Sequence, residues 1–486
     1  MHRATCPKNF PDRRFWLPLP AITLFIMAVS NPNMNSTKTN TRILIILFIG
    51  VLMGALDISI VGPAIPSIEK TMHVGGRDLS WIYSIYILFN LIGISLMAKL
   101  SDTYGRRRVY ILAVAIFGLG SLIVALSQDV TWLLVGRAVQ GFGSSGIFPV
   151  AIAVVGDIYP VEKRGRALGL IGAVFGIAFL LGPFIAGFML LYFDWNALFL
   201  INIPIAIALM FFAARMLPAT RPGTKPYVDW AGIFLIAAIL TSFTLALNNL
   251  DATHFIGSLL SWQVLPYLAF MVIVTPVLLV IERRLPEPVF NLRLFDSIQV
   301  RIVGFIAFGL GLFQSTIVFL PKMAVDIFGV DPSKASFMLL PVVAATAIGS
   351  PLMGRLVDKV GSKIIIASGL IIASLALFMF GFLTANLYVF YIAEACLGFG
   401  LAIRASLSYI MLNEVAESER ASTQGILLIF ISTGQLAGAA MIGAIAATNP
   451  GQSTGFSHAF LLMALLSSAL MVIAFFLKNK RQERGI

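Results

Sequence analysis

Long apolar runs are the feature that most restricts how this chain can fold. Fourteen of them follow one another, each close to the roughly 20 residues that a helix needs to cross a bilayer. We predict spans at 43–65, 79–99, 109–127, 131–156, 165–189, 193–217, 229–249, 259–281, 299–321, 335–354, 363–383, 386–412, 421–446 and 457–477. With 59% hydrophobic and 12% charged residues, the chain lacks the polar surface that a soluble fold of 486 residues needs. The sequence therefore predicts an all-α integral membrane protein.

Basic residues are concentrated in alternate loops between these spans. The basic set holds Arg106, Arg107 and Arg108; Lys163, Arg164 and Arg166; Arg215, Arg221 and Lys225; Arg283, Arg284 and Arg293; Arg355, Lys359 and Lys363; and, in the tail, Lys478, Lys480 and Arg481. The opposite loops hold at most Lys70, Arg77, Lys322 and Lys334. The positive-inside rule places the basic loops, and both termini of an even number of spans, in the cytoplasm. We therefore expect a multi-pass plasma-membrane protein, and no nucleic-acid partner despite the net charge of +12.

The N-terminal segment does not fit this pattern. Residues 15–30 are apolar but short and contain two prolines, which is typical of a signal-like or interfacial segment. Met34 begins a polar stretch that suits the first clear span. We interpret 1–42 as a cytoplasmic lead-in, of which 1–33 is dispensable or an artefact of the chosen start site.

Three motifs recur at nearly one offset. Asp102 and Asp358 are 256 positions apart, and the GFG of 141–143 and that of 398–400 are 257 apart. Asp57 and Gln314, in the stretches DISIV and QSTIV, are also 257 apart. The spacing predicts two pseudo-symmetric six-helix bundles, 43–217 and 288–477, with a 218–287 linker holding two extra helices and a cytoplasmic tail at 478–486. Such repeats are typical of secondary transporters, in which one half rocks against the other.

Two loops of the repeat carry a carboxylate, a glycine and cations. We interpret them as conformational latches, because a charged contact from Asp102 to a neighbouring span would favour one conformation. A carboxylate near a helix N-terminus is favoured by the helix dipole, and glycine permits a tight turn. The latch residues are Asp102, Gly105, Arg106 and Arg107 in the first loop and Asp358, Gly361 and Lys363 in the second. The alternative is a short basic turn that only follows the positive-inside rule.

The first loop resembles the major facilitator signature Gly-x-Leu-x-Asp-x-x-Gly-Arg-Arg, with Ala98 in place of the first glycine. LDISIVGPAIP at 56–66 resembles a motif of the drug:proton antiporters with twelve or fourteen helices. VDWAG at 228–232 resembles the start of the inserted helix pair of the fourteen-helix branch, and PVFNLRLF at 288–295 resembles the lead into the second half. The resemblance implies the major facilitator fold.

Asp57 is an ionisable residue well inside a span, which makes it a functional candidate. Arg137 and Gln140 match the family's Arg-x-x-Gln-Gly-x-Gly motif. We predict that Arg137 pairs with Asp57, and that Asp57 serves proton coupling or substrate binding. The alternatives are an Asp57 that caps local backbone near Gly54 and an Arg137 that bonds only to carbonyls.

GIAFLLGPFIAG at 176–187 resembles the antiporter motif, through Gly176, Gly182, Pro183 and Gly187. We expect the glycines to line one helix face and Pro183 to kink the helix. The resemblance implies export rather than import.

Three further residues of the second half are candidates. Glu394 stands at the position of Arg137 in the repeat, Gln314 at that of Asp57, and Arg404 follows Glu394 by ten residues. Glu394 and Arg404 project from different helix faces and need not pair. We expect either to line a cavity, where Glu394 would bind a cationic substrate or a proton. The alternative is a buried Glu394 satisfied by a neighbouring Arg or Ser.

The resemblance implies a proton-coupled exporter of drugs or other small amphipathic or cationic molecules, acting by alternating access as a monomer. The alternative is a proton-coupled transporter of one metabolite. The sequence contains no HExxH and no GxxxxGK[ST] loop, and its four histidines are scattered. We therefore expect neither an enzyme nor an ATP-driven pump, and no cofactor or metal.

Overall fold

The structure, a computed structural model, describes residues 35–219, 229–251, 253–285, 292–382, 386–415, 420–448 and 454–483. These residues form helices and no strands. In chain order the helices are α1 Asn35–Met72, α2 Gly76–Tyr104, α3 Arg106–Leu126, α4 Val130–Ile158, α5 Val161–Leu190, α6 Asn196–Leu200, α7 Asn202–Met216, α8 Trp230–Asn248, α9 Phe255–Leu259, α10 Leu265–Glu282, α11 Ile298–Phe328, α12 Pro332–Met338, α13 Leu340–Val360, α14 Ser362–Phe382, α15 Leu387–Leu401, α16 Arg404–Asn413, α17 Arg420–Ala446, α18 Thr454–Ala474 and α19 Lys480–Glu483. The predicted N-terminal segment 1–33 lies outside the described residues.

Fourteen membrane-spanning helices confirm the predicted number. Three of them consist of two consecutive helices: α6 with α7, α12 with α13, and α15 with α16. The first span is longer than predicted and runs from Asn40 to Met72. Large apolar side chains such as Phe184, Phe234 and Ile273 are exposed, as lipid contact permits.

Residues at the ends of the spans explain where the helices begin and end. The side chain of Asp129 accepts a hydrogen bond from the backbone N–H of Trp132 at the start of α4, and Asn386 does the same for Tyr388 at the start of α15. Both are N-caps, which satisfy backbone donors that the first turn leaves free. Gly329 ends α11 in the left-handed conformation, with φ 61°.

Backbone geometry repeats between the two six-helix halves. A Cβ on Gly141 of α4 would lie 2.2 Å from the carbonyl oxygen of Tyr86, and one on Gly398 of α15 would lie 2.2 Å from that of Val342. Glycine at these two positions, 257 apart, lets α2 approach α4 and α13 approach α15 closely. Gly105 and Gly361 also correspond, with φ 93° and 89°, a region that favours glycine.

The two halves meet along what we call the seam, formed by α1 with α11, α2 with α17, and α5 with α12 and α13. The seam is tight at the end remote from the basic loops. There, a Cβ on Gly62 of α1 would lie 3.0 Å from the carbonyl oxygen of Val318 in α11, and one on Gly443 of α17 would lie 2.5 Å from the Cβ of Ser80 in α2. We call this the closed end.

The seam opens toward the end that carries the basic loops. At four glycines, a Cβ would have no atom within 4 Å apart from the adjoining residues and backbone of its own helix: Gly172 and Gly176 of α5, Gly354 of α13 and Gly425 of α17. We call this the open end. The halves therefore adopt a V-shaped arrangement, closed at one face of the membrane and open at the other.

The inserted helices α8 and α10 pack on each other, and α8 also contacts α2 and α17. Asp229 caps α8 by accepting a hydrogen bond from the N–H of Gly232 at 2.7 Å. The far end of α8 is tied to α2, because Ser80 Oγ donates to Asn248 Oδ1 at 3.0 Å. VDWAG thus opens the inserted pair, which lies against the α2–α17 part of the seam.

Candidate functional site: a buried ion pair beside a cleft

Asp57 of α1 and Arg137 of α4 form an ion pair inside the first half. Arg137 Nη1 donates to Asp57 Oδ2 at 2.5 Å, and both side chains are 0% exposed. The structure therefore contains the pairing that the sequence predicts. The role of the pair in proton coupling is a separate proposal.

Three polar side chains complete the surroundings of the Asp57 carboxylate. Gln140 Nε2 and Asn202 Nδ2 both donate to Asp57 Oδ1, at 2.9 and 3.1 Å. Gln140 Nε2 also donates to Ser121 Oγ at 2.7 Å. Each carboxylate oxygen is hydrogen-bonded, which offsets much of the cost of burying the charge. Helices α1, α3, α4 and α7 thus share one polar network.

Arg137 is held on several sides. Its Nε donates to the carbonyl oxygen of Ile82 at 3.2 Å, and its Nη1 also reaches Gln140 Oε1 at 2.9 Å. The guanidinium carbon lies 4.2 Å from the ring centroid of Tyr86. Nη2 has no hydrogen-bond partner among the described residues. The arginine therefore fixes α4 against α1 and α2, and a change in the charge of Asp57 would alter this junction.

A narrow cleft lies between the halves, next to this network. Its wall includes Ser59, Tyr83 and Phe179 from the first half and Gln314 and Val318 from the second. Ile58 and Ser59, the two residues that follow Asp57, line the cleft. The carboxylate of Asp57 nevertheless points into the first half. In this conformation the wall is apolar with a few uncharged polar groups, and Asp57 is not part of it.

Glu394 of α15 is 0% exposed, and neither of its carboxylate oxygens has a hydrogen-bond partner among the described residues. The alternative of a glutamate satisfied by a nearby Arg or Ser is therefore not observed. Arg404 does not pair with Glu394. Its side chain is exposed at the first residue of α16. Gln314 corresponds to Asp57 in the repeat. It lies in the cleft wall, whereas Asp57 does not.

The first loop forms an ion-pair chain within its own half. Arg106 pairs with Asp102, and its Nε donates to Asp157 Oδ2 of α4 at 3.2 Å. Arg107 Nη1 donates to the carbonyl oxygen of Ala214 at 3.2 Å. Asp102 lies in the last turn of α2, beside the start of α3, and not in the first turn of a helix. Sequence reasoning missed Asp157, although it corresponds to Glu414 at the repeat offset of 257.

The second loop makes different contacts. Lys363 Nζ donates to the carbonyl oxygen of Phe475 at 2.6 Å, and a Cβ on Gly361 would lie 2.8 Å from that of Lys480. The side chain of Asp358 lies outside the described part of the structure. Both contacts join α14 and its loop to the C-terminal end of the chain. Whether either loop acts as a latch stays a prediction.

The sequence predicts that the glycines of the antiporter motif line one helix face. In the structure they do not all share one face. Gly176 and Gly187 lie about three turns apart on one side of α5. A Cβ on Gly187 would lie 2.8 Å from the ring of Phe337, whereas a Cβ on Gly176 would border open space. Gly182 instead faces Ser59 of α1, because a Cβ on Gly182 would lie 2.0 Å from the Oγ of Ser59. Pro183 lines the cleft. The motif therefore serves two contacts across different faces of α5.

The closed end of the seam holds an ion-pair cluster that sequence reasoning missed. Lys322 of α11 pairs with Asp326 of the same helix and, at 2.9 Å, with Glu69 Oε2 of α1. The sequence analysis counted Lys322 as a loop residue, but it is a buried residue of a span, 7% exposed. The signal was a Lys–Asp pair at i, i+4 inside an apolar run. The Glu69–Lys322 contact joins the two halves.

Two six-helix repeats around a central cleft, with ionisable residues deep inside the spans, define a secondary transporter of small molecules, and not an enzyme. Residues 47–295 and 302–486 match the family model of the Major Facilitator Superfamily, and the chain belongs to that family.

Similar proteins include several bacterial transporters. The chain is 33% identical to the uncharacterised MFS-type transporter YfiU of Bacillus subtilis (strain 168), over 78% of this chain and 74% of that one. It is 31% identical to the multidrug transporter protein MdtP of the same organism, over 69% and 62%. It is 28% identical to the riboflavin transporter RibZ of Clostridioides difficile (strain 630), over 76% and 80%.

Solved structures show the same fold at low identity. A crystal structure of the nucleoside transporter NupG superposes with a TM-score of 0.64 and 14% identity, covering 89% of this chain and 99% of NupG. A bacterial homologue of the human lysosomal transporter Spinster, in an inward-facing and unoccupied conformation, gives a TM-score of 0.63 and 15% identity, covering 92% and 97%.

Proposed function

We propose that this protein is a proton-coupled exporter of drugs or other small amphipathic compounds. The observation that carries the proposal is the buried Asp57–Arg137 network on α1, a helix that also forms the seam and lines the cleft. A carboxylate at this depth is costly to bury, which makes it a candidate for a functional role. Its position lets a change of protonation act on the helix that joins the halves.

The open and closed ends of the seam support alternating access. If the positive-inside rule holds, the open end faces the cytoplasm of a plasma-membrane protein with both termini inside. Substrate would then enter the cleft from the cytoplasm and leave after the closed end opens. The protein is expected to work as a monomer, because one chain contains both halves and the cleft between them.

Coupling would pass through the ion pair. A proton on Asp57 removes its negative charge, while Arg137 keeps its own, since arginine does not release its proton in proteins. The pair then loses most of its attraction, and α1 is freed from α4. Because α1 also packs against α11 and α12 across the seam, this change reaches the other half. Each proton moving inward across the membrane supplies about 2.3 kcal/mol per 100 mV.

The central experiment is transport of a fluorescent amphipathic dye under an imposed proton gradient, measured as efflux from whole cells or as uptake into inside-out vesicles. We expect efflux that a protonophore abolishes and that Asp57→Asn reduces at least about ten-fold. Asp78→Asn is the matched control, because Asp78 is an exposed carboxylate at the start of α2, outside the network. Unchanged, protonophore-sensitive efflux in Asp57→Asn would remove Asp57 from the coupling and make Glu394 the next candidate.

The cluster at the closed end offers a separate test of alternating access. Glu69→Gln breaks the only described ion pair across the seam at that end, whereas Asp326→Asn removes a partner within α11. The reporter is a single cysteine introduced by Ala446→Cys. We expect Glu69→Gln, and not Asp326→Asn, to speed its labelling by a membrane-impermeant maleimide. Equal labelling rates in both variants would show that the ion pair does not keep this end closed.

A second candidate is a proton-coupled transporter of one metabolite. It is favoured by the similarity to a riboflavin transporter over most of both chains. Competition distinguishes the two functions. Unrelated amphipathic compounds should inhibit dye efflux by a multidrug exporter, whereas a dedicated transporter would respond to one compound and its close analogues.

A further inference from the structure

A guanidinium with no partner among the described residues lies at a break in a membrane span. The span Leu387–Asn413 is interrupted between α15, which ends at Leu401, and α16, which begins at Arg404. Arg404 is therefore about two thirds of the way along the span, far from either end. Among the described residues, its side chain makes no hydrogen bond, ion pair or aromatic ring contact.

The exposure of Arg404 distinguishes it from the other charged residues in mid-span. Asp57, Arg137 and Glu394 are all 0% exposed, whereas Arg404 is exposed. An arginine at this depth faces the interior of the protein or a water-filled cavity, because contact with lipid is too costly. Irregular backbone at membrane depth obeys the same restriction. The charge of Arg404 and the irregular backbone beside it therefore both indicate that Arg404 lies on a water-filled part of the molecule.

Neighbouring contacts indicate which part this is. Ser408, one turn after Arg404 on α16, donates to Gln424 Oε1 of α17 at 2.9 Å. Gly425, the next residue of α17, borders open space. Residues 404 and 408 lie on the same helix face, since four residues make about one turn. Arg404 therefore lies on the face of α16 that meets α17 at the open end of the seam.

We propose that Arg404 binds an anionic group, a carboxylate, sulfonate or phosphate, on the transported molecule. The planar guanidinium can donate two parallel hydrogen bonds to such a group. The start of α16 adds a partial positive charge at the same place, so an anion there relieves the repulsion between the arginine and the helix dipole. The inference rests on the proposed transport function and narrows its expected substrates from amphipathic molecules in general to anionic or zwitterionic ones.

The buried acids agree with this assignment. An accessible carboxylate would attract a cationic substrate, but those of Asp57 and Glu394 are both enclosed in their own halves. Arg404, the exposed mid-span charge described above, is positive.

Two dyes that differ in one charge test the proposal. Rhodamine B carries a free carboxylate, and its ethyl ester has the same ring system without it. We expect purified wild-type protein to bind the acid more tightly than the ester, measured by fluorescence anisotropy in detergent. Arg404→Gln should weaken binding of the acid by at least about ten-fold and leave the ester within about two-fold, whereas Arg404→Lys should retain part of the preference.

Arg301→Gln is the matched control, because Arg301 is an exposed arginine near the start of α11. Thermal unfolding of each variant shows whether it is folded. Equal losses for acid and ester in a folded Arg404→Gln, or a wild type that prefers the ester, would overturn the anion site. Transport in proteoliposomes tests the proposed function separately: binding without gradient-driven movement of either dye would refute proton-coupled export and leave the anion site standing.

Discussion

Arg137 in the first half and Glu394 in the second stand 257 positions apart on corresponding helices, and their surroundings differ completely. Arg137 contacts Asp57, Gln140 and the Tyr86 ring, whereas the Glu394 carboxylate has no described hydrogen-bond partner. The glycines that follow them, at 141 and 398, make the same close contact in both halves. Helix packing is therefore repeated, but the charge network is not.

The residues at the repeat offset explain the difference. Gln140, which bridges Asp57 and Arg137, corresponds to Leu397, and Asn202 corresponds to Ala459. Apolar residues at these positions leave Glu394 without donors. The two halves therefore have the same packing rules, while only the first holds an ion pair at these corresponding positions.

Removing one partner of that ion pair should have the largest effect. Arg137→Ala leaves the Asp57 charge buried without its counter-ion, which costs about 3–5 kcal/mol. We expect low yields of folded protein and a marked drop in the thermal unfolding temperature in detergent. Adding Asp57→Asn to Arg137→Ala should restore part of the lost stability. A double variant no more stable than Arg137→Ala would show that the pair does not set the stability of the first half.

The glycine contacts should respond alike in both halves. Gly141→Ala and Gly398→Ala each place a methyl group 2.2 Å from a backbone carbonyl oxygen, so we expect each to cost about 1–3 kcal/mol. Gly172→Ala, which meets open space, is the control and should be neutral or slightly stabilising. Thermal unfolding measures all three. A large difference between the first two would contradict equal packing of the halves.

The first loop should contribute less to stability. Asp102 is 39% exposed in its ion pair with Arg106, and exposed pairs contribute about 0.2–1 kcal/mol. We therefore expect Asp102→Asn to change thermal unfolding little. If the loop is a conformational latch, the same variant lowers transport several-fold, whereas normal transport would favour a simple basic turn.

Glu394→Gln should have the smallest effect on stability. Glutamine keeps the shape and carries no charge, and no described hydrogen bond to the carboxylate is lost. Unfolding should stay within about 0.5 kcal/mol of wild type, in contrast to Arg137→Ala. A loss of gradient-driven transport with substrate exchange intact would identify Glu394 as a proton carrier. A strongly destabilised variant would mean that the second half depends on this carboxylate.

Much of the architecture could be predicted because the bilayer imposes strong rules on sequence. The number of spans follows from apolar run length, the two halves from the repeated motifs, and the Asp57–Arg137 pair from two opposite charges that lipid would exclude. The interpretation of Lys322 failed for a related reason. Charges near the end of an apolar run, here Lys322 and Asp326, look like a loop boundary until Glu69 of another helix is seen to pair with Lys322.

The sequence by itself determined that this chain crosses the membrane fourteen times in two related halves, because hydropathy and local motifs are properties of consecutive residues. Only the tertiary structure decided that Asp57 points away from the cleft, that Gly182 and Gly187 serve different neighbours, and that Arg404 stays exposed at a helix break. These facts depend on how helices rotate and approach one another. That packing joins residues up to hundreds of positions apart, which no local pattern records.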